Sequence, residues 1–311
     1  MTRKSPEVSV IIPTYNRGHL LGRAIQSVIN QTYHDFEVII IDDGSADNTK
    51  QVVKSFKDER IVYIRRDINR GAAAARNIGI KKARGEYIAF QDSDDEWLPE
   101  KLEKQIWVFN NTPPEVGVVY TGFYKLKDNK KSYIPSVEII HKEGDIFYSI
   151  LKGNFVGTPA ALVKRECFET AGMFDEKFPS LEDWELFIRI SKYYHFQCID
   201  KPLVISYCQQ ESISADQNAL VRAYELILIK HFEDIKNSRE LLIRYYPRIG
   251  HLLCSNGQLK RGRGYLFKAV KIDPLNIRYI GIILISLLGQ SAYDHRSILR
   301  CRRIRDMLHK I

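Results

Sequence analysis

Three carboxylates stand within four residues in the segment Asp92-Ser93-Asp94-Asp95, shortly after the apolar run YIAF. Carboxylates this close together repel one another unless a cation or hydrogen-bond donors compensate their charge. Hard divalent cations bind oxygen, typically through one or two carboxylates together with the phosphates of a substrate. In extended backbone Asp92 and Asp94 would point to the same side, so we interpret this pair as functional. Asp95 and Glu96 are more typical of the acidic first turn of a solvated helix.

A second acidic feature is the run Glu182-Asp183-Trp184-Glu185, which opens a helical pattern. Ser180, with Asp183 three residues later, has the spacing of a capping box, a structural arrangement at the start of a helix. A carboxylate at a helix N-terminus is kept ionised by the helix dipole and can therefore also act as a base. The structural and catalytic interpretations of Asp183 are compatible, and this segment alone does not choose between them.

Polar residues also follow three other predicted strands. They are Pro13-Thr14-Tyr15-Asn16-Arg17, Asp42-Asp43-Gly44-Ser45 and Asn69-Arg70-Gly71, the last of which leads into Arg76-Asn77. Ligands of parallel α/β sheets bind at the carboxyl ends of the strands, so these residues and Asp92 are predicted to share one rim. Each also has a structural interpretation, because Asp-Gly-Ser is a common turn and helix cap, Pro13 can end a strand and Asn77 can cap a helix.

The elements that position these residues alternate between strand and helix through the first 125 residues. Strands are predicted at Val8–Ile12, Glu37–Ile41, Arg60–Ile64, Tyr87–Phe90 and Val116–Gly122, and helices at 20–30, 48–57, 72–83 and 99–110. Strands that are apolar almost throughout and alternate with helices indicate a parallel sheet covered on both faces. The predicted fold class is therefore α/β.

The later part of the chain has a different pattern. Residues 123–160 look irregular, with a polar turn at Lys125–Lys131 and a loop at Asn154–Pro159. A helix, a turn and a second helix starting near Leu181 are predicted between Lys164 and Tyr194. Beyond about Ser212 only helical patterns remain, at 216–235, 238–254, 258–272, 276–288 and 295–309. We place a domain boundary near residue 215, which gives domains 1–215 and 216–311.

The composition is that of an ordinary globular protein. Of the 311 residues, 44% are hydrophobic and 27% are charged, which excludes collagen-like, low-complexity and wholly disordered classes. The cysteines include no C-x-x-C pair, which argues against a disulfide framework or a structural zinc site and favours a reducing compartment. The start shows no signal-peptide pattern and no apolar run approaches ~18 residues, so we expect a cytoplasmic protein.

The formal net charge of +9 is unevenly distributed along the chain. Residues 241–311 carry 14 basic and 3 acidic residues, whereas residues 1–240 carry 33 and 35. A basic segment can bind nucleic acid, an anionic membrane or an acidic partner, and charge alone does not choose among them. No nucleic-acid-binding motif accompanies the basic segment, so we expect no nucleic-acid partner.

The basic segment contains the apolar stretch Tyr279–Leu288, between Arg278 and a cluster at Arg296–Arg305. The stretch is too short to span a bilayer. Basic residues beside an apolar helix gain roughly 1 kcal/mol each near an anionic leaflet, which favours peripheral attachment to the cytoplasmic face of a membrane. The alternative is a helix that packs within the protein or forms a homodimer.

Five segments in this order, VSVIIPTYNR, VIIIDDGSADNT, NRGAAAARNIGI, GEYIAFQDSDDEW and FPSLEDWELFIRI, closely resemble glycosyltransferase family 2 over about residues 6–207. The resemblance implies a GT-A fold, a Rossmann-like and mostly parallel sheet flanked by helices, here with an all-helical C-terminal appendage. It implies transfer of a sugar from a nucleotide-diphosphate donor, a UDP-sugar at family level, to an acceptor hydroxyl with inversion at the anomeric carbon. A divalent metal, Mg²⁺ or Mn²⁺, is the implied cofactor.

The resemblance also implies roles for individual residues. The nucleotide-sugar would contact Pro13, Tyr15, Asn16, Asp43, Arg76, Asn77, Asp92 and Ser93, of which Pro13, Tyr15 and Asp43 would hold the nucleobase and ribose. Asp94 would bind the metal that bridges the diphosphate, and Asp183 would be the general base. Glu182 and Trp184 would lie on the acceptor side.

The sequence departs from the processive members of this family. Those members carry a Q-x-x-R-W motif and several membrane spans, and neither is found here, so a single-addition transferase is favoured. We expect it to act on a lipid-linked or saccharide acceptor in bacterial-type surface glycan assembly. The alternative is a catalytically silent nucleotide-sugar-binding or scaffold protein, which is disfavoured because both acidic features are present.

Overall fold

The computed structural model describes residues 5–128, 130–136, 138–207 and 216–293. The chain divides into two units, Met1–Lys177 with Glu182–Gln210 and Phe178–Leu181 with Glu211–Ile311. The short piece Phe178–Leu181, which the sequence assigned to the first domain, therefore groups with the second unit. The boundary predicted near residue 215 lies outside the described residues.

Within the described residues, the first unit is built on a nine-stranded sheet. Its strands are β1 (Val8–Thr14), β2 (Phe36–Asp42), β3 (Ile61–Arg65), β4 (Tyr87–Phe90), β5 (Glu96–Trp97), β6 (Val116–Lys127), β7 (Lys130–Ile134), β8 (Ala161–Lys164) and β9 (His195–Tyr207). They lie in the order β3-β2-β1-β4-β8-β6-β9-β5, with β7 paired to β6. The β1–β2, β2–β3, β1–β4 and β6–β9 pairs are parallel. The predicted α/β class with a mostly parallel sheet is confirmed.

The parallel strands β1 and β2 bring the ends that carry polar residues to the same level. Every residue of both strands is buried, as expected for a sheet covered on both faces. Their register pairs Val8 with Phe36 and Thr14 with Asp42, and β4 pairs with the other side of β1 so that Phe90 lies opposite Ile11. The segments that follow β1, β2 and β4 therefore leave the sheet side by side.

Seven helices accompany this sheet in the described part of the first unit. They are α1 (Gly18–Ile29), α2 (Thr49–Ser55), α3 (Ala72–Lys82), α4 (Lys101–Asn110), α5 (Phe147–Lys152), α6 (Arg165–Ala171) and α7 (Glu182–Ile190), with a 3-10 turn at Thr158–Ala160. A Cβ atom at Gly79 would lie 2.4 Å from Cγ2 of Ile11, so glycine allows α3 to lie close to β1. This approach brings Arg76, one turn earlier in α3, toward the strand ends.

Several strands were not predicted from the sequence. The region 123–160, predicted to be irregular, contains the end of β6, the hairpin strand β7 and helix α5. Asp128, in the hairpin turn, has φ 47. No glycine at this position marks the turn in the sequence. The four-residue β8 and the partly exposed β9 were also missed, because short or irregularly buried strands show no clear period of two.

Residues 216–293 of the second unit form helices joined by short turns. Its helices are α8 (Gln217–Lys230), α9 (Phe232–Ile235), α10 (Arg239–Ser255), α11 (Leu259–Ile272) and α12 (Ile277–Leu287). The carboxylate of Asp216 caps α8 by accepting hydrogen bonds from the N–H groups of Asn218 and Ala219. The predicted helical appendage is thus confirmed for residues 216–293, whereas the helix predicted at 295–309 lies outside them. Among the described helices, none combines the length and apolarity that a membrane span requires.

Candidate active site

The segment after β1 carries an exposed aromatic side chain. Pro13 is buried within the strand, whereas Tyr15 is 44% exposed. Asn16 has φ 51, and its backbone N–H donates to Oγ of Ser45, 2.9 Å away. The Asn16 side chain in turn accepts from the N–H of Ala46 at 2.8 Å. These bonds join the ends of β1 and β2, as the shared rim predicts.

Asp43 follows β2 and anchors the loop that precedes α3. Its Oδ2 accepts from the backbone N–H groups of Arg70 at 2.9 Å and Gly71 at 2.7 Å. Its Oδ1 lies 2.8 Å from the Arg66 guanidinium. Gly71 has φ 89, a conformation that favours glycine. Asp43 is thus almost fully buried, and it holds the backbone that leads to Arg76.

The acidic segment after β4 forms a turn rather than extended backbone. The N–H of Asp95 donates to the carbonyl of Asp92 at 3.1 Å, so the extended backbone assumed in the prediction for Asp92 and Asp94 is wrong. The Asp94 carboxylate lies 3.6 Å from the Arg17 guanidinium. The backbone carbonyl of Asp94 accepts a hydrogen bond from the Arg23 guanidinium. Burial and the charge of Asp92 raise the pKa of Asp94, while Arg17 opposes them. A positive group is therefore favoured at this carboxylate.

Asp95 and Glu96 do not form the solvated start of a helix, as the sequence suggested. Asp95 is 3% exposed, and its Oδ1 accepts from the N–H of Tyr207 at 3.0 Å. The hydroxyl of Tyr207 donates to Oε2 of Glu96 at 3.0 Å. Burial, together with the two neighbouring aspartates, raises the pKa of Asp95 well above its ordinary value. The prediction of a helix start at Asp95 and Glu96 failed because Glu96 belongs to the short strand β5, which pairs with β9. The next helix, α4, therefore begins only at Lys101.

Arg76 joins the acidic turn to the second acidic feature. Its Nη2 donates to Oδ1 of Asp92 at 2.7 Å, and its Nη1 donates to Oε1 of Glu182 at 2.6 Å. Burial acts to lower the pKa of the guanidinium, but the two carboxylates outweigh it, so the pKa of Arg76 is raised. Burial raises the pKa of Glu182, although Arg76 opposes it. The bridge places the turn after β4 and the start of α7 in one ion-pair network.

Two other predicted donor contacts, Asn77 and Ser93, are buried. The Asn77 side chain donates to the carbonyl of Phe174 at 2.9 Å and accepts from the N–H of the same residue at 3.0 Å. It also donates to Oε1 of Glu176 at 2.9 Å. In this structure Asn77 fixes the segment after α6, and its contact with a donor stays a prediction.

Asp183, near the start of α7, accepts hydrogen bonds from the segment that follows α5. Oδ2 accepts from Nδ2 of Asn154 at 3.2 Å and from the hydroxyl of Thr158 at 3.1 Å. Oδ1 accepts from the N–H of Trp184 at 2.7 Å. The helix begins at Glu182, so Ser180 does not stand at the N-cap position that a capping box with Asp183 would need.

Trp184, predicted to lie on the acceptor side, is 2% exposed. Its indole N–H donates to the carbonyl of Ile150 at 2.6 Å, which holds α7 against α5. In this structure the side chain supports the helix that carries Glu182 and Asp183. Its predicted contact with an acceptor stays a prediction.

Sequence analysis missed several residues that contact the site. Arg17 stands in the PTYNR segment predicted to lie on the rim but was given no role, although its charge beside three polar residues was a usable signal. Arg23 lies on α1, where nothing local marks it, and its guanidinium also stacks on the ring of Tyr207 at 3.9 Å. Asn154 and Thr158 lie in the stretch predicted only as a loop, so their contact with Asp183 needed the tertiary structure.

The donor set suits a divalent cation that shares a substrate. Among residues 5–128, 130–136, 138–207 and 216–293, no cluster of three or more His, Cys, Asp or Glu side chains could hold a metal ion. Asp94 is nevertheless 22% exposed and favours a positive neighbour. One carboxylate with phosphate oxygens is a common arrangement for Mg²⁺. A cation at Asp94 would thus need further ligands from a bound molecule.

Comparisons with known sequences agree on one family. A family model described as glycosyl transferase family 2 matches residues 9–172. An uncharacterized glycosyltransferase from Rickettsia felis is 38% identical over 278 residues, which cover 88% of this chain and 44% of that protein. UDP-Glc:alpha-D-GlcNAc-diphosphoundecaprenol beta-1,3-glucosyltransferase WfgD from Escherichia coli is 31% identical over 262 residues, 75% of this chain and 98% of WfgD. The chain spans less than half the length of three Rickettsia glycosyltransferases that it matches.

A solved structure has a similar fold. Residues 1–349 of TarS from S. aureus, crystallised with UDP-GlcNAc, superpose with a TM-score of 0.66 over 96% of this chain and 91% of that chain. The two sequences are 17% identical, so this likeness concerns the fold alone.

Proposed function

Because this chain belongs to glycosyl transferase family 2, we propose that it is an inverting, non-processive transferase that moves a sugar from a nucleotide-diphosphate donor to an acceptor hydroxyl. The observation that carries the proposal is the Arg76 bridge between Asp92 and Glu182. It joins the acidic turn after β4 to the helix that carries Asp183. The groups proposed for the donor and for the base thus belong to one network.

In the proposed reaction Asp183 acts as the general base. It takes the proton of the acceptor hydroxyl while the hydroxyl oxygen attacks the anomeric carbon on the face opposite the diphosphate. The new glycosidic bond forms as the bond to the diphosphate oxygen breaks, and the diphosphate leaves with the electron pair. Attack from the opposite face inverts the anomeric carbon. Holding both substrates on one rim supplies a further part of the acceleration.

A divalent cation, Mg²⁺ or Mn²⁺, is part of the proposal, with Asp94 as its protein ligand. When bound, such a cation supplies Lewis-acid stabilisation of the charge that develops on the diphosphate. Arg17 is this chain's own positive charge beside Asp94. The partial exposure of the Asp94 carboxylate supports the assignment, because it leaves room for a substrate to share the ligand sphere.

We propose that the donor is a UDP-sugar held by the residues after β1, β2 and β4. Tyr15 supports this placement, since an exposed aromatic ring can stack on a nucleobase. Pro13, Asn16 and Asp43 would complete the nucleobase and ribose contacts, and Arg76, Asn77, Asp92 and Ser93 would line the rest of the donor site. UDP is favoured because the name of WfgD specifies UDP-Glc and TarS was crystallised with UDP-GlcNAc.

The acceptor is proposed to be a lipid-linked or saccharide hydroxyl in bacterial-type surface glycan assembly. The support is the name of WfgD, whose acceptor is a GlcNAc linked to diphosphoundecaprenol. Glu182, which stands beside the proposed base and pairs with Arg76, would lie on the acceptor side.

The Asp183→Asn variant tests the proposed base. We expect transfer to fall by on the order of 10³-fold, because asparagine cannot take a proton. Stabilisation of the protein by UDP-sugar should persist. The measurement is UDP release with a panel of UDP-sugars and a short prenyl-diphosphate-linked sugar acceptor, alongside thermal shifts with and without Mn²⁺.

Two outcomes of this experiment would count against the proposal. Transfer by Asp183→Asn at the wild-type rate would show that Asp183 is not the base. A wild-type protein that is stabilised by a UDP-sugar but transfers to no acceptor in the panel would favour the catalytically silent binding or scaffold protein.

We also propose that the protein attaches peripherally to the cytoplasmic face of a membrane through its second unit. Helix α12 and the residue that follows it expose a stripe of aliphatic side chains, Ile277, Ile280, Leu284, Leu287 and Leu288, which are between 40% and 78% exposed. The surrounding sequence, residues 241–311, carries 14 basic and 3 acidic residues. An apolar stripe in a basic region is typical of helices that lie in the interface of an anionic bilayer. A homodimer formed through the same stripe is the alternative.

A further inference from the structure

The carboxylate of Asp183 is held by donors on both of its oxygens. Oδ2 accepts from Thr158 and Asn154, and Oδ1 accepts from the N–H of Trp184. An ionised carboxylate has about four lone-pair sites, so these three bonds leave one site, on Oδ1. The arrangement therefore singles out Oδ1 as the atom that can still accept a proton.

Thr158 is fixed in place by the core of the first unit. Its side chain is 3% exposed, and it opens the 3-10 turn whose next two carbonyls accept from buried side chains. The Pro159 carbonyl accepts from the indole of Trp97 at 3.0 Å, and the Ala160 carbonyl accepts from Nε2 of Gln105 at 2.9 Å. The Thr158 hydroxyl therefore presents a rigid donor to Asp183.

Asn154 reaches the same oxygen from an exposed position. The next two residues, Phe155 and Val156, are buried, so the backbone on its C-terminal side is anchored. Gly157 then turns the chain at φ 65, and a Cβ atom there would lie 2.9 Å from the ring of Phe123. The buried neighbours and the tight turn thus hold the loop that carries both donors.

We propose that Thr158 and Asn154 are positioning residues for the general base. They hold Asp183 so that the free site of Oδ1 meets the acceptor hydroxyl, and their donors stabilise the ionised carboxylate. This inference rests on the proposed role of Asp183 as the base.

The test is the separation of kcat from the donor KM in Thr158→Val and Asn154→Leu. Each variant loses one donor to Oδ2, so the base is less well oriented and kcat should fall by about tenfold. The donor KM should stay unchanged, since neither side chain lies among the proposed donor contacts.

Three further variants make the result specific. Thr158→Ser keeps a hydroxyl and should keep the wild-type kcat. Thr121→Val makes the same chemical change at another buried threonine, whose hydroxyl has no hydrogen-bond partner among the described residues, and should leave kcat and the donor KM unchanged. Asp183→Asn reports on the base itself.

The outcomes separate the two proposals. If Asp183→Asn abolishes transfer while Thr158→Val and Asn154→Leu keep the wild-type kcat, the positioning role is wrong and the base assignment stands. A kcat that falls in Thr158→Ser as much as in Thr158→Val, or a donor KM that rises as kcat falls, would show a merely structural loop. If Asp183→Asn retains transfer, the proposed function fails first.

Discussion

Asp94 is the single carboxylate on which the metal proposal depends. Burial and Asp92 disfavour its charge, whereas Arg17 favours it. Asp94→Asn keeps the size of the side chain but removes the charge and one ligand oxygen. We expect transfer to fall by on the order of 100-fold and the Mn²⁺ dependence of UDP-sugar binding to disappear. Calorimetric titration with UDP-sugar, with and without Mn²⁺, measures the second effect.

A matched control makes the Asp94 result interpretable. Asp58→Asn removes a carboxylate of the same type that pairs with Arg60 away from the rim, and it should keep the Mn²⁺ dependence. Full activity of the wild-type protein in excess chelator would contradict the proposed cation.

Lys101 is a buried lysine that the proposed chemistry does not use. It is 0% exposed, its Nζ donates to Oε1 of Gln105 at 2.8 Å, and it lies 3.9 Å from the ring centroid of Trp97. Burial lowers the pKa of Lys101 well below 10.5. Between the folded pKa and 10.5 the unfolded chain therefore binds one more proton than the folded protein.

This difference predicts a pH-dependent stability. Because the unfolded state holds the extra proton, the free energy of unfolding rises with pH in that window by about 1.4 kcal/mol per pH unit. Lys101→Met removes the titration. The wild-type value minus the variant value should therefore increase with pH below 10.5 and level off above it. Urea unfolding at four pH values checks this, with Lys50→Met on α2 as the exposed control, and parallel curves would contradict it.

At the scale of elements, buried parallel strands were the most predictable part of the fold. The prediction for β4 has the observed bounds, and those for β1 and β2 fall within two residues of them. Each of these runs is apolar on both faces and ends at polar residues, so local sequence defines it. β5 has only two residues, Glu96 and Trp97, and exists because β9 pairs with it. No local pattern could reveal such a strand.

The same distinction holds for the elements of the site. The polar segments after β1, β2 and β4 were predicted to meet at one rim, and backbone and side-chain bonds join them there. The partners of the acidic residues were not predictable. Arg76 reaches Glu182 across 106 residues, and Asn154 reaches Asp183 across 29. These contacts depend on how helices pack, which spacing in one segment does not encode.

At the scale of the whole molecule, the excess of basic residues and the exposed aliphatic stripe of α12 both lie late in the chain. The membrane proposal predicts that the protein sediments with anionic liposomes at low salt and is released at high salt, since exposed charges are screened. Leu284→Gln with Leu287→Gln should weaken binding, because these side chains are 58% and 62% exposed on α12. Charge reversal at Arg300, Arg302, Arg303 and Arg305 should weaken it further.

One control and one contradicting outcome bear on the liposome experiment. Trp107→Gln changes an exposed apolar residue of α4 in the first unit, 65% exposed, and should leave sedimentation unchanged. If the wild-type protein ignores anionic liposomes at low salt, the stripe on α12 serves packing or dimerisation. Size-exclusion chromatography with light scattering would then identify the dimer.

The position of β9 in the sheet has a consequence for synthesis on the ribosome. β9 lies between β6 and β5, and its last residue, Tyr207, binds Asp95 across 112 residues of chain. At translation rates of about 5–20 residues per second, the acidic turn emerges from the ribosome several seconds before the strand that secures it. During that interval the nascent chain has Asp92, Asp94 and Asp95 without Tyr207, so the rim can be completed only when the first unit is almost fully made.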